Sequence, residues 1–330
     1  MTVSRALRND PCVRPEQRER IRRIAKTIGY EPDASLGRYL SLAKQKRSQE
    51  SGSTIALLRC LNVQKEADRL TRYMPVAILE ETARRLRFKI DDFSVEDSPA
   101  SVERTRRILE ARGIRAILLL PCAGKHAIAS FNFGGFVVAS IGYGLGNPHL
   151  NGVGTDIMDG FRRMLIEYRQ RGIRRIGLAV TPFMDSRTNH GFSGALLSFQ
   201  SGIPAAEKVT PFWVDDSDPG RQRAEFVRWL KKQKPEVVVG PDEILHDWID
   251  SADLEGQAKP LVFSSDWNRH TSRGPGLDHR RDLVCHYAIE MITNGIVTNQ
   301  TGIPENSFRM LVSAELVEGN PVNAFAPLFS

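Results

Sequence analysis

Short apolar runs alternate with helical patterns along most of the chain, starting at Thr54. Each run has four to six residues, the length of a strand buried on both faces, and amphipathic stretches separate the runs. This alternation predicts parallel sheets with helices on both faces, and eight runs over this length predict two sheets rather than one. The candidate strands are 54–58, 88–92, 116–120, 136–141, 175–180, 209–214, 236–240 and 261–264, and the candidate helices are 72–86, 101–112, 156–171, 187–200, 221–233 and 279–294.

The first residues follow a different pattern, with two short amphipathic helices. Val3, Ala6 and Leu7 recur at i, i+3 and i+4, and a break at 9–11 includes a proline. A second helix is predicted from Arg14-Pro15 to Gly29, because proline suits the first turn and glycine suits the residue after the last. Two such helices bury little surface alone, so this segment is predicted to be part of a small helical bundle.

Charge distinguishes this head from the body. The net charge is +7, and residues 1–47 hold 12 basic and 5 acidic residues, which accounts for all of it. Such asymmetry indicates a head that binds a polyanion, joined to an electrically neutral body. A solvated basic helix without a partner remains the alternative.

Three segments of the head carry a family resemblance: T-V-S-R-A-L-R-N-D-P, V-R-P-E-Q-R-E-R-I and A-K-T-I-G-Y-E-P-D. They resemble the DNA-binding headpiece of the lactose-repressor (LacI/GalR) family. The resemblance implies that TVSRAL belongs to the recognition helix of a helix-turn-helix, which lies in the major groove. Thr2, Ser4 and Arg5 would then face operator DNA, and Arg5 would contact a base. The chain begins within that helix, so we expect either a start codon farther upstream or a shortened head.

Residues 35–53 are predicted to be a hinge and linker after the head at 1–34. Leu36, Tyr39 and Leu40 share one helical stripe, and 44–53 is charged and then rich in Ser and Gly. The resemblance implies that Tyr39 or Leu40 wedges into the minor groove of DNA. An ordinary helix packed against the body is the alternative.

The body, 54–330, resembles the family's periplasmic-binding-protein-like core, notably at V-G-T-D-I-M-D-G-F and L-V-F-S-S-D-W. The resemblance implies two doubly wound lobes, the first from 54–155 and 279–303, the second from 156–278 and 304–320. Ligands of such folds bind between the lobes at the carboxyl ends of the strands. By the same resemblance, Asp156, Arg187 and Asp266 bind the effector, and two carboxylates with one arginine suit a hydroxyl-rich ligand such as a sugar. Tyr73 is expected to supply apolar or stacking surface for the effector, with a place in the core as the alternative.

Enzyme motifs are incomplete. Asn147 occupies the third glycine position of a G-x-G-x-x-G motif, and Ala195 breaks a G-x-S-x-G motif at 191–195. The four cysteines have no metal-ligand spacing, and no apolar run is long enough to span a membrane. We therefore expect no enzyme activity, metal or cofactor, and a reduced cytoplasmic protein.

The sequence thus predicts a homodimeric transcription regulator, a repressor, that binds double-stranded operator DNA under control of a small-molecule effector. The alternative is a cytoplasmic small-molecule-binding protein that has lost DNA binding with the first helix of the head. A third hypothesis is a sugar-processing or nucleotide-dependent enzyme, because an α/β scaffold alone never excludes catalysis.

Overall fold

A computed structural model describes residues 14–27, 54–61, 76–120, 127–143, 149–215 and 219–319. The predicted contacts of Thr2, Ser4, Arg5, Tyr39, Leu40 and Tyr73 lie outside these ranges. Within the head, helix α1 spans Pro15–Thr27, which confirms the start predicted at Arg14-Pro15. Ala25 is buried on this helix, whereas Ile24 is half exposed.

The body has two six-stranded sheets, as the alternating pattern predicts. In chain order, the elements around the first sheet are β1 (Thr54–Leu61), α2 (Val76–Arg85), β2 (Lys89–Glu96), α3 (Pro99–Ala111), β3 (Ala116–Leu119), a 3-10 turn (Ala127–Ser130), β4 (Val137–Ile141) and β5 (Gly152–Asp156).

The elements around the second sheet follow. They are α4 (Ile157–Gln170), β6 (Ile176–Val180), α5 (Pro182–Arg187), α6 (Gly191–Ser201), a 3-10 turn (Ala205–Glu207), β7 (Phe212–Trp213), α7 (Pro219–Gln233), β8 (Val237–Gly240), α8 (Asp242–Asp250), β9 (Leu261–Ser264) and β10 (Gly276–Asp278). The chain then forms α9 (Arg281–Thr298), β11 (Arg309–Ser313) and β12 (Glu315–Val317).

The order of the first sheet is β11-β5-β4-β3-β1-β2, and all of its pairs are parallel. The second sheet has the order β12-β10-β9-β8-β6-β7, and among its described strands the β10–β12 pair alone is antiparallel. We call the first sheet with α2, α3 and α9 the first lobe, and the second sheet with α4–α8 the second lobe.

The central strands contribute to two cores each, because successive side chains point to opposite faces of a sheet. On β1, Ile55 and Leu57 pack with α9, whereas Ala56 and Leu58 pack on the α3 side. In the second lobe, β8 divides in the same way between Val237 and Val239 on one face and Val238 on the other. Because both faces of these strands are buried in the four cores, the strands appear in the sequence as continuous apolar runs.

Three crossovers connect the lobes, at 156–157, 278–281 and 314. The last one differs from the sequence prediction, which assigned 304–320 to the second lobe. Strand β11 pairs with β5 from Arg309↔Gly152 to Ser313↔Asp156, so the chain returns to the first sheet and changes lobe only at Ala314. The alternating pattern missed β11 because this edge strand leaves Met310 and Leu311 partly exposed.

Candidate functional site

A cleft lies where the two lobes meet, at the carboxyl ends of β4 and β5. Both lobes and two of the three crossovers supply its walls. The cleft is lined by Ile141, Gly142, Tyr143, Gly154, Thr155, Ile157, Arg187, Thr188, His279, Arg281 and Val284.

An ion pair joins the lobes beside this cleft. Asp266 follows β9 in the second lobe, and its Oδ2 accepts a hydrogen bond from Nη2 of Arg281 at 2.5 Å. Arg281 is the first residue of α9, which packs on the first lobe. The side chains are 17% and 13% exposed, so the pair is shielded from water and stronger than a surface pair.

His279 completes this group. Its Nε2 lies 2.9 Å from the main-chain oxygen of Ser265, and its Nδ1 lies 3.7 Å from Oδ1 of Asp266. Because a carbonyl oxygen only accepts, Nε2 carries the proton in that hydrogen bond. The contact therefore orients the imidazole with Nδ1 towards the carboxylate.

Opposing effects set the pKa values of this group. Burial opposes ionisation of Asp266, but the positive charges of His279 and Arg281 outweigh it and hold the pKa of the carboxyl below its usual value. Burial lowers the pKa of His279, and the charge of Asp266 offsets that effect only in part. The carboxylate–guanidinium pair is thus the persistent charged contact at neutral pH.

A rigid turn between α5 and α6 presents Arg187 and Thr188 to the cleft. The carboxylate of Asp185, 2% exposed, accepts hydrogen bonds from the main-chain N–H of Ser193 at 3.0 Å and from its hydroxyl at 2.7 Å. Nδ1 of His190 lies 2.9 Å from the same carboxylate. Both residues hydrogen-bond to Asp185, whereas a catalytic triad needs the histidine to bond to the serine. The arrangement therefore stabilises the turn.

A third arginine, Arg309, lies behind the first-lobe wall. Arg309 on β11 donates a hydrogen bond to the main-chain oxygen of Gly142, and its guanidinium lies 5.0 Å from the centre of the Tyr143 ring. Burial raises the pKa of Tyr143, and the nearby charge of Asp156 adds to the effect. The Tyr143 hydroxyl therefore stays protonated at neutral pH and can donate a hydrogen bond.

The predicted effector residues have different surroundings. Arg187 lines the cleft, and Asp266 contacts it through Arg281 and His279. Asp156 caps α4, because its Oδ1 accepts a hydrogen bond from the main-chain N–H of Asp159 at 3.0 Å.

Sequence reasoning missed Tyr143, Thr155, Thr188, His279 and Arg281 as cleft residues. His279 and Arg281, in the crossover at 278–281, follow β10, a strand of three residues that the apolar pattern does not reveal. Their position directly after a strand end, at a change of lobe, is the signal that could have identified them.

Among the described residues, no cluster of three or more His, Cys, Asp or Glu side chains could hold a metal ion. None of the described helices has the length and apolar character needed to cross a membrane.

Residues 1–33 match the family model described as "Bacterial regulatory proteins, lacI family". The described lobes have the architecture of solved structures from that family. The chain thus resembles the lacI family in the sequence of its head and in the fold of its body. A search of curated protein sequences finds no match.

Solved structures of lacI-family regulators cover nearly the whole chain. A lac repressor dimer bound to operator and an anti-inducer is 16% identical, with a TM-score of 0.60, and the match covers 98% of this chain and 95% of that one. A CelR transcriptional regulator–cellobiose complex is 17% identical, with a TM-score of 0.57 and coverage of 97% and 94%.

The Cra transcriptional dual regulator from Pseudomonas putida, in complex with fructose 1-phosphate, is 15% identical, with a TM-score of 0.56 and coverage of 82% and 99%. At such identities these structures show the shared fold. The family and these neighbours are transcription regulators rather than enzymes.

Proposed function

We propose that this chain is a lacI-family transcription repressor whose affinity for operator DNA depends on a small molecule bound in the cleft between the lobes. The main support for the proposal is the cleft itself, whose walls include both lobes and two of the three crossovers. The family headpiece at 1–33 supplies the DNA-binding end. The neighbours bound to an operator, cellobiose and fructose 1-phosphate support the same class of function.

The lobe arrangement is the quantity that a ligand would change. A molecule in the cleft contacts Arg187 and Thr188 of the second lobe and Tyr143 and Thr155 of the first. Such a ligand stabilises one relative orientation of the lobes, and it shifts the balance only by its difference in affinity for the two orientations. The headpieces precede the first lobe in the chain, so their spacing in a homodimer would change with that orientation.

DNA recognition is assigned to the head and hinge. Thr2, Ser4 and Arg5 face the major groove in this proposal, and Tyr39 or Leu40 enters the minor groove. A two-fold dimer presents two heads and therefore reads two inverted half-sites.

The proposal is tested by selecting binding sites for the full chain from a random duplex pool. The expected product is a pseudo-palindromic site, which a matching small molecule releases or tightens. Arg5→Ala should relax base preference at one position in each half-site and cost about 1–3 kcal/mol. Arg22→Ala on α1 should weaken binding to all sequences alike, through lost charge.

Two results would contradict the proposal. Selection of the same motif by Arg5→Ala and the unmodified chain would remove the base-reading role of Arg5. Ligand binding without any DNA selection would favour a small-molecule-binding protein over a repressor.

A further inference from the structure

We propose that the effector is anionic, a small hydroxylated molecule with a phosphate or carboxylate group that Arg187 and Arg281 bind from opposite lobes. The inference rests on the proposed function, because it specifies the chemistry of the same cleft. It adds an anionic group to the hydroxyl-rich ligand that the sequence suggests.

The charge of the cleft wall is the first support. Among the described lining residues, Arg187 and Arg281 carry permanent positive charge and none is Asp or Glu, and Asp266 beside the cleft offsets one of the two positive charges. A neutral ligand needs no such excess, whereas a desolvated anion does.

The contact between Asp266 and Arg281 is the second support. Arg281 already binds an anionic group across the lobe boundary, the carboxylate of Asp266 at 2.5 Å. A ligand phosphate or carboxylate has the same hydrogen-bonding geometry and can replace that carboxylate, while Arg187 supplies a further guanidinium. The exchange would break one interlobe contact and form another through the ligand, which couples binding to the lobe arrangement.

Two threonine hydroxyl groups of the cleft are the third support, because they can bind the hydroxyl groups of the ligand. Thr155 donates its proton to the main-chain oxygen of His279 at 2.6 Å, and Thr188 donates to that of Asp185 at 2.9 Å. Both threonine oxygens can therefore still accept but no longer donate. They complement ligand hydroxyl groups, which donate.

The volume of the cleft indicates that binding requires movement. The cavity measures about 60 Å³, whereas pockets for drug-sized ligands measure about 300–1,000 Å³. A hydroxylated anion therefore enters only as the Asp266–Arg281 contact separates and the lobes part. This requirement is the expected source of the effector's preference for one lobe arrangement.

Isothermal titration calorimetry on the full chain without DNA tests the inference. The probes are inorganic phosphate, glucose 6-phosphate, gluconate and glucose, all at one fixed ionic strength. We expect the anions to bind and glucose to bind more weakly, and the phosphate and gluconate arms distinguish the two anionic groups. Arg187→Gln and Arg281→Gln should each lower anion affinity at least about tenfold, the worth of a hydrogen bond between charged groups.

Three further variants make the test discriminating. Arg162→Gln, on the exposed face of α4, should leave anion affinity unchanged. Arg281→Lys retains the charge and should retain part of the affinity if Arg281→Gln fails to fold. Asp266→Asn should raise anion affinity about tenfold by removing a competing charge, whereas it should lower affinity for a neutral sugar held by that carboxylate.

The inference is overturned if no anion binds, if glucose binds as tightly as glucose 6-phosphate, or if both arginine variants bind phosphate as the unmodified chain does. These failures are distinguishable from failure of the proposed function. A chain that selects an operator and releases it with a neutral sugar overturns the anion inference alone. Anion binding without any DNA selection overturns the repressor proposal alone.

Discussion

The hydroxyl of Thr155 donates a hydrogen bond to the main-chain oxygen of His279 over 2.6 Å. Thr155 lies at the end of β5, just before the first crossover, and His279 lies in the second crossover after β10. This one bond therefore ties together two of the three connections between the lobes. Nη2 of Arg163 on α4 donates a hydrogen bond to the main-chain oxygen of Ala314 at 2.5 Å. This second bond fixes the third connection between the lobes to α4.

Thr155→Val tests the tie between the first two crossovers. Valine has the same shape as threonine but no hydroxyl, so the variant should lose about 1 kcal/mol of unfolding free energy, the typical net worth of one hydrogen bond. Urea titration of the purified chain measures the change.

Thr293→Val is the matched control. The Thr293 hydroxyl donates to the main-chain oxygen of Ile289 within α9, so its loss affects one helix and no crossover. Only Thr155→Val should also change ligand-dependent operator release. Equal effects of both variants on release would show that the Thr155 bond has no role in coupling the lobes.

Two helical glycines should respond to alanine with opposite signs. A Cβ on Gly160 of α4 would lie 2.8 Å from Cβ of Ala314 and 3.1 Å from Cδ1 of Leu277, at the crossovers. Such overpacking costs about 1–3 kcal/mol. A Cβ on Gly194 of α6 would meet only Cε of Met158, at 3.9 Å, so Gly194→Ala should stabilise by about 0.5–1 kcal/mol.

Thermal melting of Gly160→Ala and Gly194→Ala distinguishes the two cases. The first should melt below the unmodified chain and the second above it. If both variants melted higher, helix propensity alone would govern these positions, and α4 would not be closely packed against the third crossover.

The sequence predicts the layered α/β fold well because its central strands are continuous apolar runs. It misses β5, since Gly152 and Gly154 interrupt the run, although β5 pairs with both β4 and β11. Gly152 is required there because a Cβ would lie 2.4 Å from the Ser140 hydroxyl. Local pattern cannot reveal such a close approach, which depends on the neighbouring strand.

The candidate site is predictable only in part, for a similar reason. Arg187 lies in the cleft as expected, yet Asp156 serves as a helix cap and the Asp266 carboxylate contacts Arg281. A carboxylate after a strand can cap the next helix, bind a ligand or pair with a cation. Only the three-dimensional neighbours distinguish these roles.

Asp185→Asn should loosen the turn that presents Arg187 and Thr188. The buried carboxylate accepts two hydrogen bonds from Ser193, and an amide can accept through only one of its two end atoms. We expect a loss of about 1–3 kcal/mol in unfolding free energy, the cost of a buried polar group without its partner. Asp250→Asn, at a 64% exposed side chain, is the control and should change stability little.

Ligand affinity provides the second measurement for Asp185→Asn. If the turn positions Arg187, affinity for inorganic phosphate should fall along with stability. A variant that is destabilised but binds phosphate with unchanged affinity would separate the turn from the ligand site.

The pH dependence of stability should carry a contribution from His279. Burial lowers its pKa in the folded protein, and Arg281 and Arg187 lower it further, while Asp266 opposes them. Between the folded pKa and the unfolded value of about 6.5, the unfolded chain binds a proton that the folded chain does not. Stability therefore falls as pH drops through this window. The lowered pKa of Asp266 acts only at more acidic pH, below the usual carboxyl value.

His279→Gln removes this titration and keeps a side-chain N–H that can donate to the main-chain oxygen of Ser265. Chemical denaturation at several pH values between about 5 and 7.5 should give a shallower fall in stability for this variant than for the unmodified chain. His270→Gln, at an exposed position, is the control and should keep the original slope. If the slopes of all three proteins agree, His279 titrates alike in the folded and unfolded states. The imidazole would then not be held neutral beside the interlobe ion pair.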